Sequence, residues 1–289
     1  MQIHLLTGFV CCMLLVSTAA CQHASPGHAA DGAPHAVDTV AYTYSRIESI
    51  EPGCVPDTSR YGYNCTNITV DYPVFTSEGR TVDADSLNAW MQVKLVSTMD
   101  PDSSFTTIEE LVDGWMNEYL EAKKAYPDHS MPWYIDRDVD ILLNQDGFLA
   151  VRIHDNTYTG GAHPNYFSSL YSIRVPELTE VTLDDVLVPG HLPELTRIAE
   201  KYFRTARGLE PDESLERRGF WFEGGIFKLN ENYTFTEEGI NFFFNNYEIT
   251  AYAGGPTEFV VPYGAIGDLI PPGSPLQALI LAGASPSGK

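Results

Sequence analysis

Hydrophobic and polar residues alternate over residues 39–50, TVAYTYSRIESI, and again over 67–75, NITVDYPVF. A period of two, rich in β-branched and aromatic residues, predicts strands. The cysteine-bounded segment CVPDTSRYGYNC lies between them, so they are expected to pair with their turn stapled. The period then lengthens. Leu87, Trp90, Met91 and Leu95 recur at helical spacing within 83–97, as do Ile108, Leu111, Val112, Trp115, Tyr119 and Leu120 within 106–122. Thr106 with Glu109, or Thr107 with Glu110, offers a capping box where the second helix starts.

Strand-like alternation returns in PWYIDRDVDILLN and GFLAVRIHD, which flank the turn signal QDG. In the second run Leu149, Val151 and Ile153 share one face, and Phe148, Ala150, Arg152 and His154 share the other. The next run, YFSSLYSIRV, sets Phe167, Ser169, Tyr171, Ile173 and Val175 against Ser168, Ser172 and Arg174. Between the two runs stands TGGAHPN, residues 159–165. Its glycines, Gly160 and Gly161, tolerate positive φ, and Pro164 confines His163 to extended conformations. A helix is expected at 191–207, INFFFNNYEI reads as a strand, AYAGGPTE as a loop, and FVVPYGAIGDLI as a strand running into a short helix.

These patterns predict an α+β, two-layer fold, a mainly antiparallel sheet packed with helices in two small subdomains. The expected boundaries are 39–135 and 136–275, with a tail at 276–289.

The N-terminus changes the picture of where the fold operates. Residues 1–20, MQIHLLTGFVCCMLLVSTAA, carry no Asp, Glu, Lys or Arg and place small residues after a short apolar core. That layout predicts a signal peptide. Cys21 follows directly and fits a lipobox, so a lipid on Cys21 is expected to hold the protein at a membrane surface; ordinary secretion with cleavage nearby is the alternative. Residues 21–38 are rich in Ala, Gly, Pro and His and read as a flexible tether. Of five cysteines, Cys11 and Cys12 leave with the signal and Cys21 takes the lipid. Cys54 and Cys65 remain, and an even remainder in an exported chain reads as one disulfide, contributing roughly 2 to 3 kcal/mol by loop entropy.

The net charge of −22 argues against a nucleic-acid partner. It suits a cationic partner protein, and equally a salt-tolerant organism with acidic surfaces. Candidate chemistry is sparse. His154 and His163 are the one close pair of histidines inside the strand-rich region, with Asp155 nearby, which is short of a zinc set, so no metal and no cofactor are expected. Ser168, Ser169 and Ser172 fall near His163 without the G-x-S-x-G context. The paired carboxylates Glu109–Glu110, Asp184–Asp185 and Glu237–Glu238 are tied to no histidine or sugar platform. With sixteen Tyr, fourteen Phe and four Trp, most aromatics must be core, and an exposed tyrosine-rich surface is the functional alternative.

YTGGAHPNYFSSLYSI, LTEVTLDDVL and FTEEGINFFFNNYEITAYAGGPTEFVVPYGAIGDL together resemble the C-terminal domain shared by RsiV-type anti-sigma factors and related exported proteins. CVPDTSRYGYNCTNITVDYPVF resembles the domain that accompanies it, also present in PdaC-type peptidoglycan deacetylases. The resemblance spans residues 40–272 and implies an extracytoplasmic module that binds lysozyme in the RsiV-type proteins. The chain shows neither a sigma-binding segment nor a T-F-D-D-G motif. The expected role is therefore a non-catalytic envelope lipoprotein binding a cationic protein, a lysozyme-like enzyme among them, or a peptidoglycan fragment. The expected ligand-binding residues are Gly160, Gly161, His163, Tyr247 and Tyr252. The alternative is a hydrolase of peptidoglycan or a related polymer that uses His163.

Overall fold

The computed structural model describes residues 39–57, 64–77, 82–97, 104–128, 131–175 and 177–283. The expected signal peptide, the expected lipid site Cys21, the expected tether and His129 lie outside the described residues. The first elements are β1 (Ala41–Ile50), β2 (Asn67–Thr76), α1 (Ala84–Val96), α2 (Ile108–Ala125), β3 (Tyr134–Gln145), β4 (Phe148–Tyr158) and β5 (Asn165–Arg174). They are followed by β6 (Thr179–Glu180), α3 (Leu183–Val186), α4 (Leu192–Ala206), β7 (Tyr233–Phe235), β8 (Gly239–Phe244), β9 (Thr257–Pro262) and α5 (Leu276–Gly283).

β1 to β6 form one six-stranded sheet in chain order, and β7 to β9 form a three-stranded antiparallel sheet. The expected hairpin of β1 and β2 is present, with Cys54 and Cys65 bonded beyond its end. Its neighbour is different in kind, because β2 and β3 run parallel from Asn67↔Tyr134 to Asp71↔Asp138. Parallel neighbours need a long crossover, and α1 and α2 supply it. Thr107 caps α2 by accepting the Glu110 N–H, and Glu110 in turn accepts from Thr106.

The alternation along β4 separates two cores. Leu149, Val151 and Ile153 pack with Leu87, Met91 and Leu95 of α1 and Val112 and Tyr119 of α2. Phe148 and Ala150, on the other face, pack with the three-stranded sheet and α4. At the centre of that second core the ring of Phe203 meets those of Phe220, Phe222, Phe227, Phe244 and Phe259. Two expectations are corrected here. The strand expected over INFFFNNYEI stops at Phe244, and the following residues turn. Residues 276–283, expected within a tail, form α5, with Leu276 and Leu279 fully buried.

The two sheets meet along the outer edge of β5. β6 pairs with β5 only at Ile173 and Arg174, so residues 166–170, paired with β4 on their inner side, have no strand on the outer one. Asparagine side chains take that place. Asn245 Oδ1 accepts the Ser168 N–H at 2.7 Å, and its Nδ2 donates to Ser168 O at 3.0 Å. Asn232 accepts the Leu170 N–H at 2.9 Å and donates to Ser168 O at 2.9 Å. Asn246 Nδ2 reaches Tyr166 O at 3.4 Å. Further along, the Ser172 hydroxyl meets Thr234 Oγ1 at 2.6 Å and accepts the Phe235 N–H. A side-chain amide carries one acceptor and two donors in a plane, so it satisfies a strand edge as a peptide group would.

On the opposite side of the sheet, Glu51 ties the hairpin to α2. It is buried, pairs with Lys123, accepts the Tyr119 hydroxyl at 2.9 Å and accepts the Thr66 N–H. Burial pushes its carboxyl up, but the hydrogen bonds from Lys123, Tyr119 and Thr66 prevail and hold it below the ordinary glutamate range.

Glu51→Gln is expected to cost roughly 1–3 kcal/mol at neutral pH, measured by urea unfolding. A lowered carboxyl contributes stability that is present above its unfolded-state pKa and lost as pH falls through the folded one. The gap between wild type and variant should therefore shrink as the solution is acidified below the ordinary glutamate range. Asn245→Ala leaves the buried Ser168 N–H without its acceptor and Ser168 O with Asn232 as its one remaining amide donor, and is expected to cost roughly 1–3 kcal/mol. Asn245→Asp should restore only the bond to the Ser168 N–H, because a carboxylate has no donor for Ser168 O.

Candidate functional site

The loop between β4 and β5 is built on its two glycines. Gly160 and Gly161 adopt φ of +101° and +109°, and a Cβ at either would meet nothing within 4 Å. Backbone conformation, not crowding, is what demands glycine there. Tyr158 anchors the loop by donating its hydroxyl to Gly161 O at 3.0 Å. The chain then presents His163 on the surface.

The clamp residues continue directly into the second half of the site. After Asn245 and Asn246 the chain turns, closed by the Glu248 N–H donating to Asn245 O at 3.2 Å. The Glu248 carboxylate reinforces the turn by accepting the Asn245 N–H at 2.7 Å. Tyr247 occupies the third position of this turn with φ of +65°. Glycine or asparagine is usual there, and an aromatic residue in the left-handed region costs about 1 to 2 kcal/mol. Tyr247 is also 53% exposed, so burial does not compensate the strain.

His163, Tyr247 and Tyr252 are brought together, as their assignment to one site requires. The imidazole stacks on Tyr252 with centroids 3.6 Å apart and planes 17° apart. The ring nitrogen Nδ1 lies 2.9 Å from Pro164 O, a pure acceptor, so Nδ1 carries the proton. Nε2 then accepts the Tyr247 hydroxyl at 3.1 Å. Tyr252 also donates to Pro164 O, at 2.8 Å. Gly160 and Gly161 shape the loop from outside this ring cluster.

Beside Tyr247 a groove of about 520 Å³ runs along the β5 edge, lined by Phe167, Tyr171, Glu231, Asn245 and Glu248. It shares Leu170, Tyr171, Asn230 and Glu231 with a second groove of about 650 Å³ that ends at His191. Among the described residues no serine bonds His163. Ser168 instead meets Nδ1 of His154 at 2.9 Å, where it is 1% exposed and closed off from any substrate. Among the described residues no three His, Cys, Asp or Glu side chains converge as a metal site, and no helix is long and apolar enough to cross a membrane.

The sequence reading named Tyr247 but missed its backbone strain and the asparagine clamp. The paired asparagines of NNYE, and Asn232 in NENY, were the available signal, since clustered asparagines favour turns and edges over strand interiors. His191, the first residue of the helix expected at 191–207, caps the start of α4 and lines the second groove.

Comparison with known proteins divides the chain at this site. Residues 61–166 match the family model described as Deacetylase PdaC, and residues 184–264 match that of a protein of unknown function, DUF3298. His163 thus belongs to the first match, and Tyr247 and Tyr252 belong to the second. The fold is similar to that of a DUF3298 family member from Bacteroides fragilis, at 22% identity and a TM-score of 0.65 over 85% of this chain and 100% of the other. It is also similar to a DUF3298 family protein from Pseudomonas aeruginosa, at 19% identity and 0.58 over 81% and 96%. No curated protein matches the chain.

Both Tyr247→Gly and Tyr247→Ala remove the contact to His163, but only glycine relieves the positive φ. The glycine variant is expected to be the more stable of the two by about 1 kcal/mol, read from chemical denaturation midpoints.

Proposed function

We propose that the protein is an exported binding module of the cell envelope, held at the membrane surface by a lipid on Cys21, that docks a cationic protein such as lysozyme. Tyr247 carries this reading. The fold tolerates a strained backbone to hold a large aromatic side chain in solvent, and strain of this kind concentrates at functional sites. Exposed aromatics are the usual anchors of protein interfaces, and here three rings stand together with Glu231 and Glu248 lining the adjoining groove. A net charge of −22 steers a cationic partner toward that surface. The likeness of the sequence to the RsiV-type domain supports lysozyme as the first partner to try. The hydrolase alternative draws little support from His163, whose two ring nitrogens are both engaged.

Immobilised protein should retain hen egg lysozyme at low salt and release much of it at high salt. Tyr247→Ala should weaken retention at least tenfold, which is about 1.4 kcal/mol. Absence of retention at both salt levels would remove lysozyme as the partner. Turnover of purified wall fragments would favour the hydrolase.

A further inference from the structure

The second groove ends away from the aromatic cluster, and its chemistry is different. It encloses about 650 Å³ between β5, α3 and the segment leading into β7. That is within the range of small-ligand sites. Tyr171 and Tyr233 contribute aromatic lining, and Leu192, 54% exposed, stands at one end.

The polar atoms left free in this lining are mostly acceptors. His191 is 6% exposed, and its Nδ1 lies 3.1 Å from Val188 O. In the neutral imidazole this contact puts the proton on Nδ1 and leaves Nε2 as an acceptor with no hydrogen-bond partner among the described residues. Asn230 spends its amide donors on Phe243 O and Glu248, which leaves Oδ1 unpartnered. Glu180 is occupied by Lys94 and Trp90. Asp184 and Glu231 have no lysine or arginine partner among the described residues; Asp184 is 92% exposed and its Oδ1 lies 3.8 Å from His191 Nδ1. The Tyr233 hydroxyl accepts the Leu183 N–H at 3.0 Å and keeps its own O–H as a donor.

A lining of acceptors and carboxylates selects a ligand rich in donors and positively charged. Aromatic walls add a preference for a ligand with a flat apolar face. An extended basic peptide meets the charge requirement, but it would bind by pairing with the edge of β5. That edge is spent, since Asn232, Asn245, Asn246 and Val181 hold its outward-facing groups. We propose that this groove binds an amino sugar carrying a free ammonium group, with the ammonium at Asp184 and Glu231, a ring hydroxyl donating to His191 Nε2, and the sugar face against a tyrosine ring. The proposal rests on the groove alone and does not require the lysozyme partner.

The test is calorimetric titration of the full exported chain with a glucosamine tetramer, its N-acetylated counterpart and trilysine. The glucosamine tetramer is expected to bind at least tenfold more tightly than either of the others. Two exposed-carboxylate changes, Asp184→Asn and Glu231→Gln, should together weaken it at least tenfold without moving the melting temperature. His191→Asn, which keeps a donor for Val188 O and removes Nε2, should weaken it as well. Equal affinity for trilysine would reduce the groove to a charge patch, and equal affinity for the acetylated tetramer would take the ammonium out of the proposal. No heat with the glucosamine tetramer, or binding indifferent to the carboxylate pair, would overturn it. Tyr247→Ala should leave this titration unchanged, so failure here is distinguishable from failure of the lysozyme reading.

Discussion

A strand edge in a folded protein must be paired, covered or solvated, and the outer edge of β5 is covered by side-chain amides. Asn232, Asn245 and Asn246 take the bonds that a further strand would have made to Tyr166, Ser168 and Leu170. Ser168 and Asn245 are both buried, so the two bonds between them satisfy groups that water cannot reach. The Ser172 and Thr234 hydroxyls continue the same seam toward the core. The three-stranded sheet is thereby fixed in register on the six-stranded one, with the phenylalanine cluster packed behind it.

The clamp also determines where the aromatic cluster forms. Asn245 and Asn246 end β8 and begin a turn, and Tyr247 is carried out of that turn toward His163 on the loop beside β5. The imidazole, stacked on Tyr252, joins a loop from one matched region to a turn and loop from the other. Because the asparagines block the β5 edge, the grooves along it are lined by side chains. The surface is therefore suited to aromatic and charge-based recognition more than to strand addition.

Much of this fold was legible in the sequence, because it was local. Period-two alternation located β1 to β5, helical spacing located α1, α2 and α4, and the even remainder of cysteines paired Cys54 with Cys65. The split faces of β4 came directly from Leu149, Val151 and Ile153 against Phe148 and Ala150. The parallel pairing of β2 with β3 was not readable, since it depends on how α1 and α2 cross over between strands far apart in the chain. The end of β8 was misread because Asn245 and Asn246 extend an apolar run, and their partners on β5 are 77 and 80 residues away. Tyr247 gave no local sign of its positive φ, which glycine would have announced. His163 was readable as a loop residue and its neighbour Tyr252 as a candidate, but the stacking between them is a product of the docking.

The docking rests on amides at Ser168 and Leu170 that lie opposite no strand, so their protection is the direct observable. In native-state hydrogen exchange on the wild-type protein, these two amides should exchange as slowly as those of the central strand β4. Exchange at the rate of the exposed His163 loop would contradict the account, because it would mean that the asparagine side chains do not hold the edge.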